Sequence, residues 1–437
     1  MFLANIFFGG ILLLILILIM MFIKREYHIF ILILMLLLLV SDLTESVRPV
    51  INLFAFLYLG VFFLAKNQFY FKQYPRFPKE ISLFILMYIS SMLISTVFSV
   101  NIGISIVQVS RVIAFFILMY LIYSEINTEK SIVFILLTIV LACSITSLII
   151  IINFSTDIRF NIEGNILMRA EGIYSNVNAM GGLTIIAFLI LVAALILGYA
   201  KKYNRLIIFL LILNTAGLIL NNSRSTIIGI LSGLFVLLFF YRRKYFYTFI
   251  SVLLLAVLIV LMSEDLSRIF GFYFRVERAV TGREYFWDMA VNMFTDNALV
   301  GVGPAGYKYL MYDYLPVMMG SWDELSIYTY YNVSDFGLQH SFYLFILSEL
   351  GIFGLLVLSL FFFVLFKKSF ILLQSGGGII KVLAIVSLSA GIGLLIRGIF
   401  ESINILTYGW LSGDLPFWLI VLSLFSIEKL LQKKFNN

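Results

Sequence analysis

The chain has 437 residues, 62% of them hydrophobic and 12% charged, with a formal net charge of +7. A soluble domain carries about 25% charged residues, whereas runs such as "IFILILMLLLLV" (29–40) and "SIVFILLTIVLACSITSLIIIINF" (131–154) carry none, which excludes a soluble enzyme. They also exclude a β-barrel, whose strands alternate apolar and polar residues over ~10-residue segments. What remains is an all-α, polytopic helical membrane protein in which 1–437 form a single integral membrane domain.

Spanning the hydrocarbon takes about 20 mostly apolar residues. On that scale the sequence predicts spans near 3–23, 28–41, 50–65, 81–99, 102–123, 131–153 and 179–200. Further spans follow near 205–221, 225–241, 246–263, 338–366, 380–402 and 415–430. That makes about thirteen, within a range of 12–14. The first is read as a retained helix, because its basic residues Lys24 and Arg25 follow the apolar run, the reverse of a cleavable signal peptide. The single cysteine, Cys143, sits inside a span and can form no internal disulfide; no Cys/His cluster suggests a metal site. No internal repeat is evident.

The basic residues sort by side. The connections at 24–25, 66–79, 130, 201–205, 242–244, 367–381 and 429–434 together hold nineteen of the thirty Lys and Arg. The excess of Lys and Arg in cytoplasmic loops assigns this set to the cytoplasm, the N-terminus to the outside and the C-terminus to the inside. The net positive charge thus reports loop asymmetry and not nucleic-acid binding. On the other face lies one loop of 74 residues, 264–337, with ten acidic and five basic residues and aromatic clusters such as "GFYF" (271–274) and "YTYYN" (328–332). A second external loop covers 154–178. Loops this long in a compact protein are usually functional, so the working surface is expected outside the cytoplasmic membrane.

Four stretches near that face carry residues suited to chemistry. In "NNSRSTIIGILSGLF" (221–235), Arg224 stands at a helix start, where the dipole is positive, beside cap-type Ser223 and Ser225. That local conflict points to an anion nearby. "TGREYFWDMAVNMF" (281–294) has apolar residues at helical spacing and reads as an amphipathic helix lying on the outer surface, with Arg283 in its first turn. "LVGVGPAGYKY" (299–309) is a glycine-rich turn segment that can present backbone N–H groups. "LQHSFYLFILSELG" (338–351) places His340 at the mouth of a span, where an imidazole can take a proton from a hydroxyl. Charges within spans face a cavity or a partner. Here they are Arg111, Glu349, Arg397 and Glu401. Arg397 and Glu401 are one turn apart and suited to a local pair. Arg111 and Glu349 are candidates to pair across helices; Arg111 also suits an anion at the external cleft.

Together the stretches "EGIYSNVNAMGG" (171–182), "NNSRST" (221–226), "GREYFWDMA" (282–290), "LVGVGPAGY" (299–307) and "QHSFYLFILSELGIFG" (339–354) resemble the bacterial O-antigen ligase/polymerase superfamily. The resemblance covers about 170–355. One departure is Val177, where many members have proline before the asparagine matched by Asn178. The resemblance implies a metal- and cofactor-independent, inverting glycosyltransferase of the bacterial inner membrane, with its site on the periplasmic face. The donor would be an undecaprenyl-diphosphate-linked glycan. The acceptor would be a lipid-linked repeat unit (a polymerase) or lipid A-core (a ligase), with the polymerase favoured and a chain-length regulator as an expected partner. Arg224 and Arg283 would hold the diphosphate, with Arg111, Asn178 and Gly303 as further substrate contacts, and His340 would lie at the acceptor side. A transporter of lipid-linked glycans is the rival reading. It would need polar groups on both sides of a cavity, and here they concentrate outside.

Overall fold

The computed structural model describes residues 22, 27–38, 48–66, 76–156, 173, 178–274, 283–311, 313–314 and 339–436. Among them are fifteen α-helices and no strand. In chain order α1 is His28–Leu38, α2 Arg48–Lys66, α3 Lys79–Val97, α4 Ile102–Glu125, α5 Glu129–Thr156, α6 Gly181–Ile196, α7 Asn204–Asn221 and α8 Arg224–Tyr241. Then come α9 Arg243–Met262, α10 Glu264–Phe274, α11 Arg283–Asp296, α12 Gly306–Leu310, α13 Phe342–Ser375, α14 Gly378–Arg397 and α15 Leu411–Asn436. Eight helices are long and apolar enough to cross a membrane; α1, α6 and 52–61 of α2 are shorter apolar helices. The expected span at 3–23 lies outside the described residues, apart from Phe22. So do most of the loop at 154–178 and the "YTYYN" cluster.

The bundle centre is aromatic. Trp418 of α15 stacks on Phe361 of α13 with ring centroids 5.2 Å apart and meets Phe116 of α4 edge-on at 5.1 Å. Phe84 of α3 lies 4.4 Å from Phe361. The indole N–H of Trp418 donates to the Ile405 carbonyl at 2.9 Å, so the core also fixes the connection between α14 and α15. Lipid offers helices no hydrophobic reason to associate, so small residues that allow close approach matter more. Gly229 and Gly233 of α8 face α14: a Cβ at Gly393 would stand 2.6 Å from the Gly229 carbonyl oxygen. The two backbones touch there, next to Arg397.

Two sequence expectations are corrected by the elements themselves. First, the predicted span 338–366 is part of a longer helix, α13, that is broken. Gly351 has φ +65° and ψ −162°, so Ile352 cannot bond back into its own helix and donates instead to the Ala298 carbonyl at 2.9 Å. The carbonyls released at the break accept from Val302 N–H (Ser348, 2.9 Å) and Gly303 N–H (Glu349, 3.0 Å). Non-helical backbone at membrane depth is tolerated only where protein satisfies it, and the segment 298–303 does so. Second, α11 is the expected helix, but its apolar face is not laid on lipid. Phe286, Met289, Ala290 and Met293 pack with Val302, Tyr307 and Met311 into a second small core. The glycine-rich segment folds back and covers that face.

The ends of the helices alternate. The starts of α4, α6, α8, α13 and α15 gather at one end with α11 and the 298–305 segment. Phe342 N–H donates to Gly398 O at 2.7 Å, Ser105 to Pro304 O at 2.8 Å and Ser223 to Asn178 at 2.9 Å. The other end carries Lys368, bonded to Glu428 at 2.6 Å, and Lys429 over the Tyr123 ring.

Candidate active site

At the first of these ends, α14 stops at Arg397, and the chain runs through 398–410 before α15 begins. The stretch from Glu401 to Thr407 is buried although it is irregular. Irregular backbone must find its hydrogen bonds elsewhere when buried, and here side chains supply them. Asp414 accepts from the N–H groups of Thr407 (2.6 Å) and Trp410 (3.1 Å). Asn404, itself at φ +85°, donates to Ala179 O and Gly413 O and accepts from Gly182 N–H and from Arg397.

This connection carries Glu401, and Glu401 gathers the charged groups. Arg283, at the first turn of α11, donates from Nη2 to Glu401 Oε1 at 2.7 Å and from Nη1 to the Phe400 carbonyl at 2.7 Å. His340 Nδ1 stands 3.9 Å from Glu401 Oε2, an ion-pair distance too long for a hydrogen bond. Burial would raise the Glu401 carboxyl, but the His340 imidazole and the guanidiniums of Arg283 and Arg397 outweigh it and hold the carboxyl below its ordinary value. Glu401 is thus an anion with three basic neighbours. The expected local pair of Arg397 and Glu401 does not form. The helix ends between them, and Arg397 turns inward to the carbonyls of Asn178 and Ile403 and to Asn404.

His340 is held from several sides. Its backbone is left-handed, at φ +50°. Its carbonyl accepts from the Trp287 indole at 3.4 Å, and Phe286 meets its ring edge-on with centroids 5.4 Å apart. The imidazole keeps partial exposure, 24% for the side chain, close to the 20% of Arg283. A guanidinium has five N–H donors in a fixed fork. Two partners therefore orient Arg283 and leave donors for an incoming anion.

The other residues singled out by sequence sit as follows. Arg224 opens α8 and donates to the Phe274 carbonyl at the end of α10, at 3.0 Å. Its neighbour Ser223 donates to Asn178 Oδ1, and the Asn178 carbonyl takes Arg397, so one chain of contacts runs from the start of α8 to the α14–α15 connection. The structure therefore brings Arg283 and His340 together on Glu401 and links the Arg224 region to the same connection through Asn178 and Arg397. Gly303 is different from its expectation: its N–H is bonded to Glu349 O, and a Cβ would stand 2.4 Å from Ser99. Its N–H is engaged within the protein. Arg111 lies outside the cluster. It is exposed on α4, donates to Gln108 at 3.3 Å and does not pair with Glu349. Glu349 is bonded instead to Ala305 N–H, Gln339 and Tyr408. Glu401 is the group that sequence reasoning assigned to the wrong partner; its i+4 spacing from Arg397 concealed the helix end.

Residues 207–359 match the family model described as O-antigen ligase. That segment runs from α7 through the broken turn of α13 and so includes Arg224, Arg283 and His340. No curated protein matches the chain. Over this segment, and with helices long and apolar enough to cross a membrane, the chain is similar to the O-antigen ligase/polymerase superfamily.

Proposed function

We propose that the protein transfers a glycan from undecaprenyl diphosphate to a sugar hydroxyl on the periplasmic face of the inner membrane. The observation that carries this reading is the Arg283–Glu401–His340 cluster at one end of the bundle. In such a transfer the bond from the anomeric carbon to the diphosphate breaks as the acceptor oxygen bonds to that carbon. Negative charge builds on the leaving phosphate oxygen. Guanidiniums fixed beforehand stabilise it and suit phosphate bidentately. Arg283, oriented by Glu401 and Phe400, fills that role, with Arg224 as the second cation. His340 takes the hydroxyl proton; Glu401 faces its Nδ1 edge, leaving Nε2 for the acceptor. Direct attack on an α-linked donor gives a β-linkage, so the reaction inverts. Arginines supply the positive charge that a metal ion supplies in other transferases.

The acceptor is assigned to a second lipid-linked repeat unit, with lipid A-core as the alternative. Purified protein is given a synthetic undecaprenyl-diphosphate repeat unit and no other acceptor, and products are followed on a gel. A ladder that Arg224→Ala, Arg283→Ala and His340→Ala each reduce at least a hundredfold supports the polymerase and its site. Transfer only after lipid A-core is added identifies a ligase. No transfer to either acceptor, with the substrate still bound, overturns the reading in favour of a transporter. Product NMR that shows retention sinks the inverting mechanism.

A further inference from the structure

Five non-glycine residues among those described have left-handed backbone: Asn222, Ala305, His340, Asn404 and Tyr408. Such conformations persist only where the surroundings over-determine them, and they cluster at working sites. Two of the five, Ala305 and Tyr408, bond to one buried side chain, Glu349 of α13, which is 2% exposed, and a third, His340, follows directly on another of its partners, Gln339. Its Oε2 accepts from the Ala305 N–H at 2.9 Å and from the Tyr408 hydroxyl, which also accepts from Ala305 at 2.7 Å. Its Oε1 accepts from Gln339 Nε2 at 3.4 Å, and Gln339 is the residue before His340. The Glu349 backbone is clamped as well, its carbonyl taking Ser95 Oγ at 2.6 Å and Gly303 N–H at 3.0 Å.

From this geometry we infer that Glu349 is a positioning residue for the transfer, acting through two arms. One arm, Gln339, fixes the turn that carries His340. The other, Tyr408, fixes the 398–410 connection that carries Glu401. Its two oxygens set the distance between the imidazole and the carboxylate that face each other at 3.9 Å. Among the described residues no cation is bonded to it: its partners are an amide N–H, a carboxamide and a phenol, all of which need an acceptor at a fixed place. This inference rests on the reading of His340 and Glu401 given above.

The test uses the full-length protein in detergent, with Glu349→Gln and Tyr408→Phe. Glutamine keeps one acceptor and loses the other; phenylalanine removes only the phenol oxygen, so it guards against a Glu349 variant that fails to fold. The chain has two histidines, His28 and His340, so histidine-labelled protein gives two imidazole signal sets by long-range proton–nitrogen NMR, and His340→Ala assigns them. The expected result is a tenfold or greater fall in kcat for each variant, KM for the lipid-linked donor within about twofold, and a displaced His340 signal beside an unmoved His28 signal. Unchanged kcat per folded molecule overturns the inference. A fall in kcat with the His340 signal unmoved overturns it too, since the loss then arises elsewhere. If His340→Ala and Glu401→Gln keep full transfer, the site reading fails; a displaced His340 signal in Glu349→Gln would still support the positioning contact.

Discussion

Among the described residues, Glu401 is the carboxylate within ion-pair reach of both Arg283 and His340. Removing its charge leaves the Arg283 guanidinium and the His340 imidazole without the buried carboxylate they share. Breaking a buried pair on one side costs roughly 3–5 kcal/mol, so Glu401→Gln should lower thermal stability by that order. It should also reduce kcat about tenfold to a hundredfold, because a base that loses its orientation keeps only part of its effect. The pH dependence has a definite sign. The folded Glu401 carboxyl lies below its ordinary value, so its contribution is fully present above the unfolded carboxyl range and is lost as pH falls through the folded value. The gap in unfolding temperature between wild type and Glu401→Gln should hold steady from neutral pH down to that range and close below it. A gap that widened in acid would refute the assignment. Arg283 and His340 were legible in the sequence because each stands in a motif of polar residues at the edge of an apolar run. Glu401 was visible as a charge but not as a partner. Pairing by i+4 spacing assumes a continuous helix, and the helix stops at Arg397.

At the scale of elements, α13 decides how the site is built. Its break at Gly351 brings residues 298–303 into hydrogen-bonding contact with 348–352. A Cβ at Gly351 would stand 2.4 Å from the Leu299 carbonyl carbon and oxygen, on a backbone at φ +65°. Left-handed backbone alone costs an L-residue roughly 1–3 kcal/mol, and the clash with main-chain atoms adds to that. Gly351→Ala should therefore lower stability by more than 2 kcal/mol, about the middle of that range, and reduce transfer. Gly271→Ala in α10, where a Cβ meets nothing within 4 Å, should be neutral or stabilising by up to about 1 kcal/mol. Thermal unfolding of the purified variants separates the two; equal effects would refute the role given to the break. The helices were readable from apolar runs and their period. The break was not, because glycine is common in membrane helices and Gly351 sits between the apolar Leu350 and Ile352. The covering of α11 was hidden for a related reason: an amphipathic pattern shows that one face is buried, not whether lipid or protein buries it.

At the scale of the molecule, the two ends of the bundle differ in kind. One end holds irregular, buried connections and the charged cluster; the other holds short turns and the adjoining helix segments with Lys201, Lys202, Arg242, Arg243, Lys367 and Lys368. An excess of Lys and Arg marks the cytoplasmic side, and on that ground we propose the outer face for the cluster, where a lipid-linked glycan would meet its acceptor. Span counting alone leaves this orientation open, because one added or missing helix at the N-terminus reverses the inference from chain parity, whereas charge does not depend on the count. The single cysteine makes the test clean. Cys143 is fully buried beside Thr184, and Cys143→Ser leaves a background with no thiol. In that background Asn297→Cys, at the end of α11, should react with a membrane-impermeant maleimide in intact spheroplasts. Gly377→Cys, between α13 and α14, should react only after the membrane is permeabilised. The reverse pattern would turn the molecule over and put the cluster in the cytoplasm. A lipid-linked donor would then have to be used before it crosses the membrane, and the positive charge at the opposite end would need a different cause. Labelling of both positions in intact spheroplasts would mean that an odd number of crossings is miscounted between α11 and α13, the region that holds the break.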